Sequence, residues 1–175
     1  MASMSCGMSL EGFNVFCYSI GVFPTLRCLE QIRNDVSYHN CNVTFISSGA
    51  GFSYGSLGMS HHCVQDIGYM SSIPGITIQT PANAFEFKEI FSIPTSPTYL
   101  RIDKSSLDKC PLSKLNSSLF LYYKAPSKAN IAILSHGSIG SIVTPLYDEF
   151  SVMFDHFSVP QLIASGDILD ILSSY

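Results

Sequence analysis

Apolar residues follow two alternating rhythms along the chain: short β-branched or aromatic runs, and stretches spaced by three or four. Met1 to Gly12 is small and apolar throughout, which predicts a helix buried on most sides. Asn14 to Ile20 (NVFCYSI) predicts a strand. Gly21 to Pro24 breaks that run, and Thr25 then stands where it can cap a helix carrying Leu26, Leu29, Ile32 and Val36 on one face. Val43 to Ile46 predicts a buried strand, and Ser47 to Ser60, built mainly from glycine and serine, predicts a loop. Helical spacing returns at Val64, Ile67 and Met70.

The alternation continues. Ile76 to Gln79 predicts a strand, Ala82 to Phe91 a helix opened by Asn83 with Glu86 and Glu89 near its start, and Pro97 to Ile102 another strand. Helices and strands in turn indicate an α/β fold with a parallel sheet. Residues 105–128 mix Ser, Lys and Pro and read as a linker, with Leu119 to Tyr123 as an edge strand. Beyond it, Ile131 to Leu134 predicts a strand, with helices from Ile139 to Phe154 and from Gly166 to Tyr175. One strand and two helices cannot enclose a core, so this last unit is expected to be incomplete. The expected organisation is a domain over 1–104, a linker over 105–128 and a partial α/β unit over 129–175.

Composition adds further constraints. Hydrophobic residues make up 46% of the 175 and mean hydropathy is +0.27, ample for a packed core. Charged residues are only 13%, about half the usual share, which points to surface hidden in a dimer or inter-subunit interface. The net charge of −4, with no basic run, argues against nucleic acid as a partner. From Ala129 onward there is no Lys or Arg, a change that marks either a domain boundary or a solvated acidic face. Cysteines 6, 17, 28, 41, 63 and 110 form no C-x-x-C pair and sit largely in apolar segments, as buried reduced thiols do. No charged leader precedes a long apolar core and no apolar run reaches membrane-spanning length, so a cytoplasmic protein with no membrane partner is expected.

The candidate chemistry centres on residues 42–70, where strand, glycine loop and helix place a small-molecule site at the carboxyl end of a sheet. Gly49, Gly51 and Gly55 are spaced one residue too widely for a dinucleotide fingerprint, and no Gly-Lys-Ser/Thr follows for a phosphate loop. A turn that lets a helix pack close to its strand is the plain alternative. His61 reads as either a structural residue or a ligand contact. His62 and Asp66, four apart, suit a helical pair better than a metal site, since two ligands do not make one. Phe23, with Tyr18 and Ile20 nearby, is either core or an apolar wall on which a ring stacks. Arg101 either faces a ligand or pairs with Asp103 or another acid.

Three segments together carry a resemblance: YSIGVFPTLRCLEQIRND, then NVTFISSGAGFSYGSLGMSHHCVQDIGYMSSIPGITIQTPAN, then PTYLRIDK. In order and spacing they resemble the pyrimidine-binding half of transketolase-like enzymes, which use thiamine diphosphate (ThDP). The resemblance implies a three-layer α/β domain with a central parallel sheet, followed by the start of the family's C-terminal domain. It implies that Tyr18, Ile20 and Phe23 contact the cofactor ring, that His61 and Arg101 meet substrate, and that the chain itself binds no metal. It implies too that two-carbon ketol units are transferred between sugars. The family's Gly-Asp-Gly motif for diphosphate and Mg²⁺ does not occur here, so both are expected on a separate diphosphate-binding half, in a homo- or hetero-oligomer. The family's cofactor-activating glutamate lies just before the position of Met1, so this chain is expected to lack it and to be inactive alone. The alternative is a non-catalytic paralogue that serves as a binding or scaffold subunit. Two positions depart from the pattern: Gly49 or Ala50 stands where a histidine is usual, and Leu57 where an aspartate is, which puts sugar-phosphate specificity in question.

Overall fold

A computed structural model provides the structure and describes residues 1–104, 106–116, 118–162, 168, 169, 172, 173 and 175. The chain forms two units, Met1–Gln79 with Ser92–Lys104, and Thr80–Phe91 with Ser105–Tyr175.

In the first unit, strands β1 (Val15–Ile20), β2 (Val43–Ser48), β3 (Thr77–Gln79) and β4 (Thr98–Ile102) form a wholly parallel sheet in the order β1-β2-β4-β3. The expected α/β class with a parallel sheet is what the chain adopts. Its core is Ile32, Val36, Val43, Phe45, Met70 and Tyr99, all fully buried. Helix α1 (Ala2–Leu10) buries only Ala2, Ser5 and Cys6, while Met1, Met4, Met8 and Leu10 are exposed. The expectation of burial on most sides was therefore too broad. Spacing of three and four aligns a single stripe, and that stripe alone meets the sheet.

The helix expected after Thr25 is broken into α2 (Val22–Thr25), α3 (Leu29–Gln31) and a π-helical turn, Ile32–Ser37. Thr25 is no N-cap: it is the last residue of α2, and its hydroxyl donates back to the Gly21 carbonyl at 2.8 Å, before the helix it was expected to start. Ile32 and Val36 still reach the core, whereas Leu26 is half exposed. Helix α4 (Asp66–Ser71) follows the glycine loop and buries Met70.

The second unit takes helix α5 (Ala84–Ile90) out of the sequence between β3 and β4. Asn83 caps it, accepting from the Glu86 amide at 3.0 Å, and Glu86 reaches back to the Ala82 amide at 2.7 Å. Strands β5 (Ser113–Asn116), β6 (Leu119–Tyr123), β7 (Ile131–Ser135) and β8 (Phe154–Ser158) form a second sheet in the order β5-β6-β8-β7. Only β7 and β8 pair in parallel; the other two pairings are antiparallel.

Residues 105–128, expected as a linker, thus supply two strands, and β6 lies inside the sheet rather than at its edge. The expected helix from Ile139 to Phe154 gives way to a 3-10 turn (Gly137–Ile142), a short helix α6 (Leu146–Glu149) and the start of β8. Pro145 interrupts that helix before it can run on. The expected helix from Gly166 to Tyr175 lies largely outside the described residues. With these strands the second unit has a core of its own, in which Ala82 and Ile90 of the α5 segment meet Leu107, Phe120, Tyr122, Tyr147 and Phe154.

His156 sits fully buried in β8, between the Ser135 hydroxyl (2.8 Å from Nε2) and the Tyr147 hydroxyl (2.6 Å from Nδ1). Burial pushes its imidazole down from 6.5 to about 4. The unfolded chain then holds the extra proton, so stability is lost as pH falls from about 6.5 toward about 4, at no more than about 1.4 kcal/mol per pH unit. Urea midpoints read across that window should show this slope in the unsubstituted chain and lose it in His156→Gln. Asp155 acts in the same sense at lower pH. Burial works against its ionisation, but hydrogen bonds from Tyr175, the Ala125 amide and Lys124 outweigh this and hold the carboxyl below its usual range.

Candidate functional site

Because β1, β2 and β4 run parallel, their carboxyl ends lie side by side, with Ile20 opposite Ser48 and Ser48 opposite Ile102. The glycine loop leaves from there. Gly49 donates to the Ile102 carbonyl at 3.0 Å, and Gly51 and Cys63 exchange two backbone hydrogen bonds of 2.8 Å that close the loop into a ring of chain. Two 3-10 turns, Gly55–Leu57 and Met59–His61, lie inside it. Gly49, Gly51 and Gly58 have positive φ (86°, 56° and 82°), a conformation that glycine adopts at no steric cost. At Gly21 the reason for glycine is different: a Cβ there would overlap the Cys63 sulfur and come within 2.9 Å of the Ser47 hydroxyl.

The structure brings two of the five expected site residues together. The rings of Phe23 and His61 meet edge to face, centroids 5.4 Å apart at 84°, and the Arg27 guanidinium lies 5.4 Å from the Phe23 centroid. The Ser60 hydroxyl, 3.0 Å away, engages His61 Nδ1, so Nε2 is the nitrogen left for a ligand. Tyr18 and Ile20 share a face of β1 with Phe16, since side chains alternate along a strand. Tyr18 is 64% exposed and Phe16 45%, so this face presents aromatic surface. Beside α2, a cavity of about 270 Å³ is lined by Val22, Leu26, Phe52, Met59, His62 and Tyr69, among others.

Arg101 is engaged elsewhere. Its Nε lies 2.9 Å from Asp66 Oδ2, and its Nη2 donates to the Cys63 carbonyl at 3.0 Å, with 15% of the side chain exposed. The same Asp66 oxygen accepts from the Tyr99 hydroxyl at 2.6 Å. Burial and then the Asp66 charge push the Tyr99 phenol far up and the Cys63 thiol up to about 12, so both keep their protons. Arg101 therefore ties the closing residue of the loop to β4. The acid it pairs with is Asp66 and not Asp103, which accepts from Ser53. His62 lies 3.3 Å from the Gly55 carbonyl and packs edge-on to Phe52, whereas Asp66 engages Arg101 and Tyr99. Among the described residues no group of three or more His, Cys, Asp or Glu is placed to hold a metal ion, and no helix is long and apolar enough to cross a membrane.

Sequence reasoning missed two features here. The Asp66–Tyr99–Arg101 network was hidden because its members lie 33 and 35 positions apart, with nothing local to pair them. Tyr54, whose ring lies under the Lys104 ammonium at 3.8 Å, gave no signal beyond being an aromatic in a glycine loop.

Parallel strands with a closed glycine loop at their carboxyl ends define an α/β domain of the kind that carries its sites at that edge of the sheet. The transketolase pyrimidine binding domain model matches residues 1–109, and the chain belongs to that family. Over 107 residues it is 29% identical to one of the subunits of the apulose-4-phosphate transketolase of Phocaeicola vulgatus, a match covering 59% of this chain and 34% of the relative. Over 116 residues it is 29% identical to 1-deoxy-D-xylulose-5-phosphate synthase of Chlorobium luteolum, covering 64% and 18%. These matches span about a third or less of each relative. A split gene transketolase solved as an inactive beta4 tetramer has the same fold, with a TM-score of 0.77 and 19% identity over 98% of this chain and 57% of that one.

Proposed function

We propose that the chain is the pyrimidine-binding half of a ThDP-dependent, transketolase-like enzyme, and that a separate diphosphate-binding subunit carries the Mg²⁺. The observation that carries this reading is the aromatic side chains around the carboxyl end of β1: Tyr18, exposed on the strand, and Phe23, in the α2 that follows it, held edge-on by His61. Open aromatic surface fits a flat aminopyrimidine ring, which would cover it by stacking. The match to the Phocaeicola subunit, itself one part of a transketolase, supports a divided enzyme.

Bound ThDP would supply the carbon nucleophile for moving two-carbon ketol units between sugars. The protein's share is placement. Tyr18 and Phe23 hold the ring, His61 Nε2 is positioned to hydrogen-bond a substrate hydroxyl, and the closed loop with its apolar Phe52, Leu57 and Met59 displaces water.

Equilibrium dialysis of ThDP with Mg²⁺ tests the reading. The chain mixed with a diphosphate-binding transketolase subunit should retain cofactor, and Phe23→Ala should weaken retention about tenfold or more, the scale expected for a lost aromatic stack. Retention that ignores Phe23 would sink its ring as the cofactor contact.

A second reading, a non-catalytic binding or scaffold subunit, is favoured by the same apolar loop. Phe52, Leu57 and Met59 are all exposed and offer sugars no hydrogen bonds. The inactive beta4 tetramer of the split transketolase supplies a precedent for such a subunit assembling by itself. Turnover by the mixed subunits would decide against it.

A further inference from the structure

The glycine loop carries a clamped aromatic side chain. Any Cβ at Gly49 would overlap the Tyr54 ring, so that ring fills the space a side chain at position 49 would take. Its other constraint is electrostatic, since the Lys104 ammonium lies 3.8 Å from the ring centroid. The loop backbone holds the seat in register: Gly49 is bonded to Ile102, Leu57 donates to the Tyr54 carbonyl at 3.0 Å, and Ser53 is bonded to Asp103. The Tyr54 hydroxyl itself has no hydrogen-bond partner among the described residues. Of the loop's other side chains, the Ser53 hydroxyl is committed to Asp103 and the Ser60 hydroxyl to His61, while Phe52, Leu57 and Met59 offer no polar group.

A phenol whose ring is fixed by packing and by a cation over its face is a pre-oriented hydrogen-bond donor. We propose that Tyr54 is a specificity-determining residue, donating one hydrogen bond to a hydroxyl or carbonyl oxygen of the ketose substrate; this rests on the ketol-transfer reading above. Tyr54 then supplies the loop with a polar contact that position 49, as glycine, does not.

The test uses the chain assembled with a diphosphate-binding transketolase subunit, ThDP and Mg²⁺, with xylulose 5-phosphate as the probe. Tyr54→Phe keeps the ring on Gly49 and beneath Lys104 and removes only the hydroxyl. Its KM should rise about tenfold while kcat and ThDP retention stay within about twofold, because one neutral hydrogen bond is lost without disturbing the cofactor. An unchanged KM with turnover intact would overturn the role of Tyr54 and leave the ketol-transfer reading standing. A raised KM with ThDP retention lost in parallel would also overturn it, making Tyr54 a support of the loop. An unsubstituted assembly that neither retains ThDP nor turns over would overturn both.

Discussion

Alanine at Asp66 should remove about 3–5 kcal/mol from the unfolding free energy of the first unit, the cost typical of leaving a buried charge without its partner. Asp66 is 2% exposed, and its one carboxylate serves several groups. It holds the Arg101 guanidinium at 2.9 Å and accepts the Tyr99 hydroxyl at 2.6 Å, and through Arg101 it anchors the Cys63 carbonyl that closes the glycine loop. Truncation leaves a largely buried cation unpaired and a fully buried phenol without an acceptor, and neither can be rehydrated in place. Asp66→Asn keeps an acceptor for Tyr99 but drops the charge, so its loss should be smaller. Urea unfolding followed by circular dichroism reads both. A loss below about 1 kcal/mol for the alanine variant would mean that Arg101 swings out to solvent and that the ion pair contributes no more than a surface pair does.

Cutting the chain after Lys104 should give a fragment that aggregates or binds a hydrophobic dye, although the sequence pattern ends a domain there. Residues Thr80–Phe91 belong to the second unit. Removing residues 105–175 strips Leu107, Phe120, Tyr122, Tyr147 and Phe154 from Ala82 and Ile90, and leaves the fully buried Glu86 exposed on a helix of seven residues. A helix that short does not hold itself together in water, and burying each large apolar side chain is worth about 1.5–3 kcal/mol. Replacing residues 80–91 of the fragment with an equal length of Gly and Ser should restore solubility, since the first unit keeps its own parallel sheet and core. A cooperative melt from the unmodified 1–104 fragment would refute this account.

The first unit was legible because its strands are short, β-branched and separated by breakers, and periodicity of that kind is written locally. β1, β2, β3 and β4 fall within a residue or two of where the pattern predicts them. β8 was not legible. Its residues Phe154–Ser158 include Asp155 and His156 in a fully buried strand, where polar side chains disguise the run. They are tolerated there because the Ala125 amide meets Asp155, while the Ser135 and Tyr147 hydroxyls meet His156, and these partners come from elsewhere in the chain. β5 was missed within the linker, and β6 was read as an edge strand rather than an internal one, for a related reason: mixed polar and apolar residues make a strand, and take their place in a sheet, only when neighbouring strands pair with them.

The sequence by itself determined the family, the parallel α/β sheet and the glycine loop at its carboxyl end, since these rest on local turn chemistry and on segments whose order can be read in one dimension. It also pointed to Phe23 and His61, which the structure places in ring contact. Tertiary structure alone decided that Arg101 serves Asp66, that Tyr54 fills the space above Gly49, and that α5 joins the second core. Each depends on which distant groups a buried charge, an empty volume or an apolar face meets, and burial makes that choice only once the chain has closed on itself.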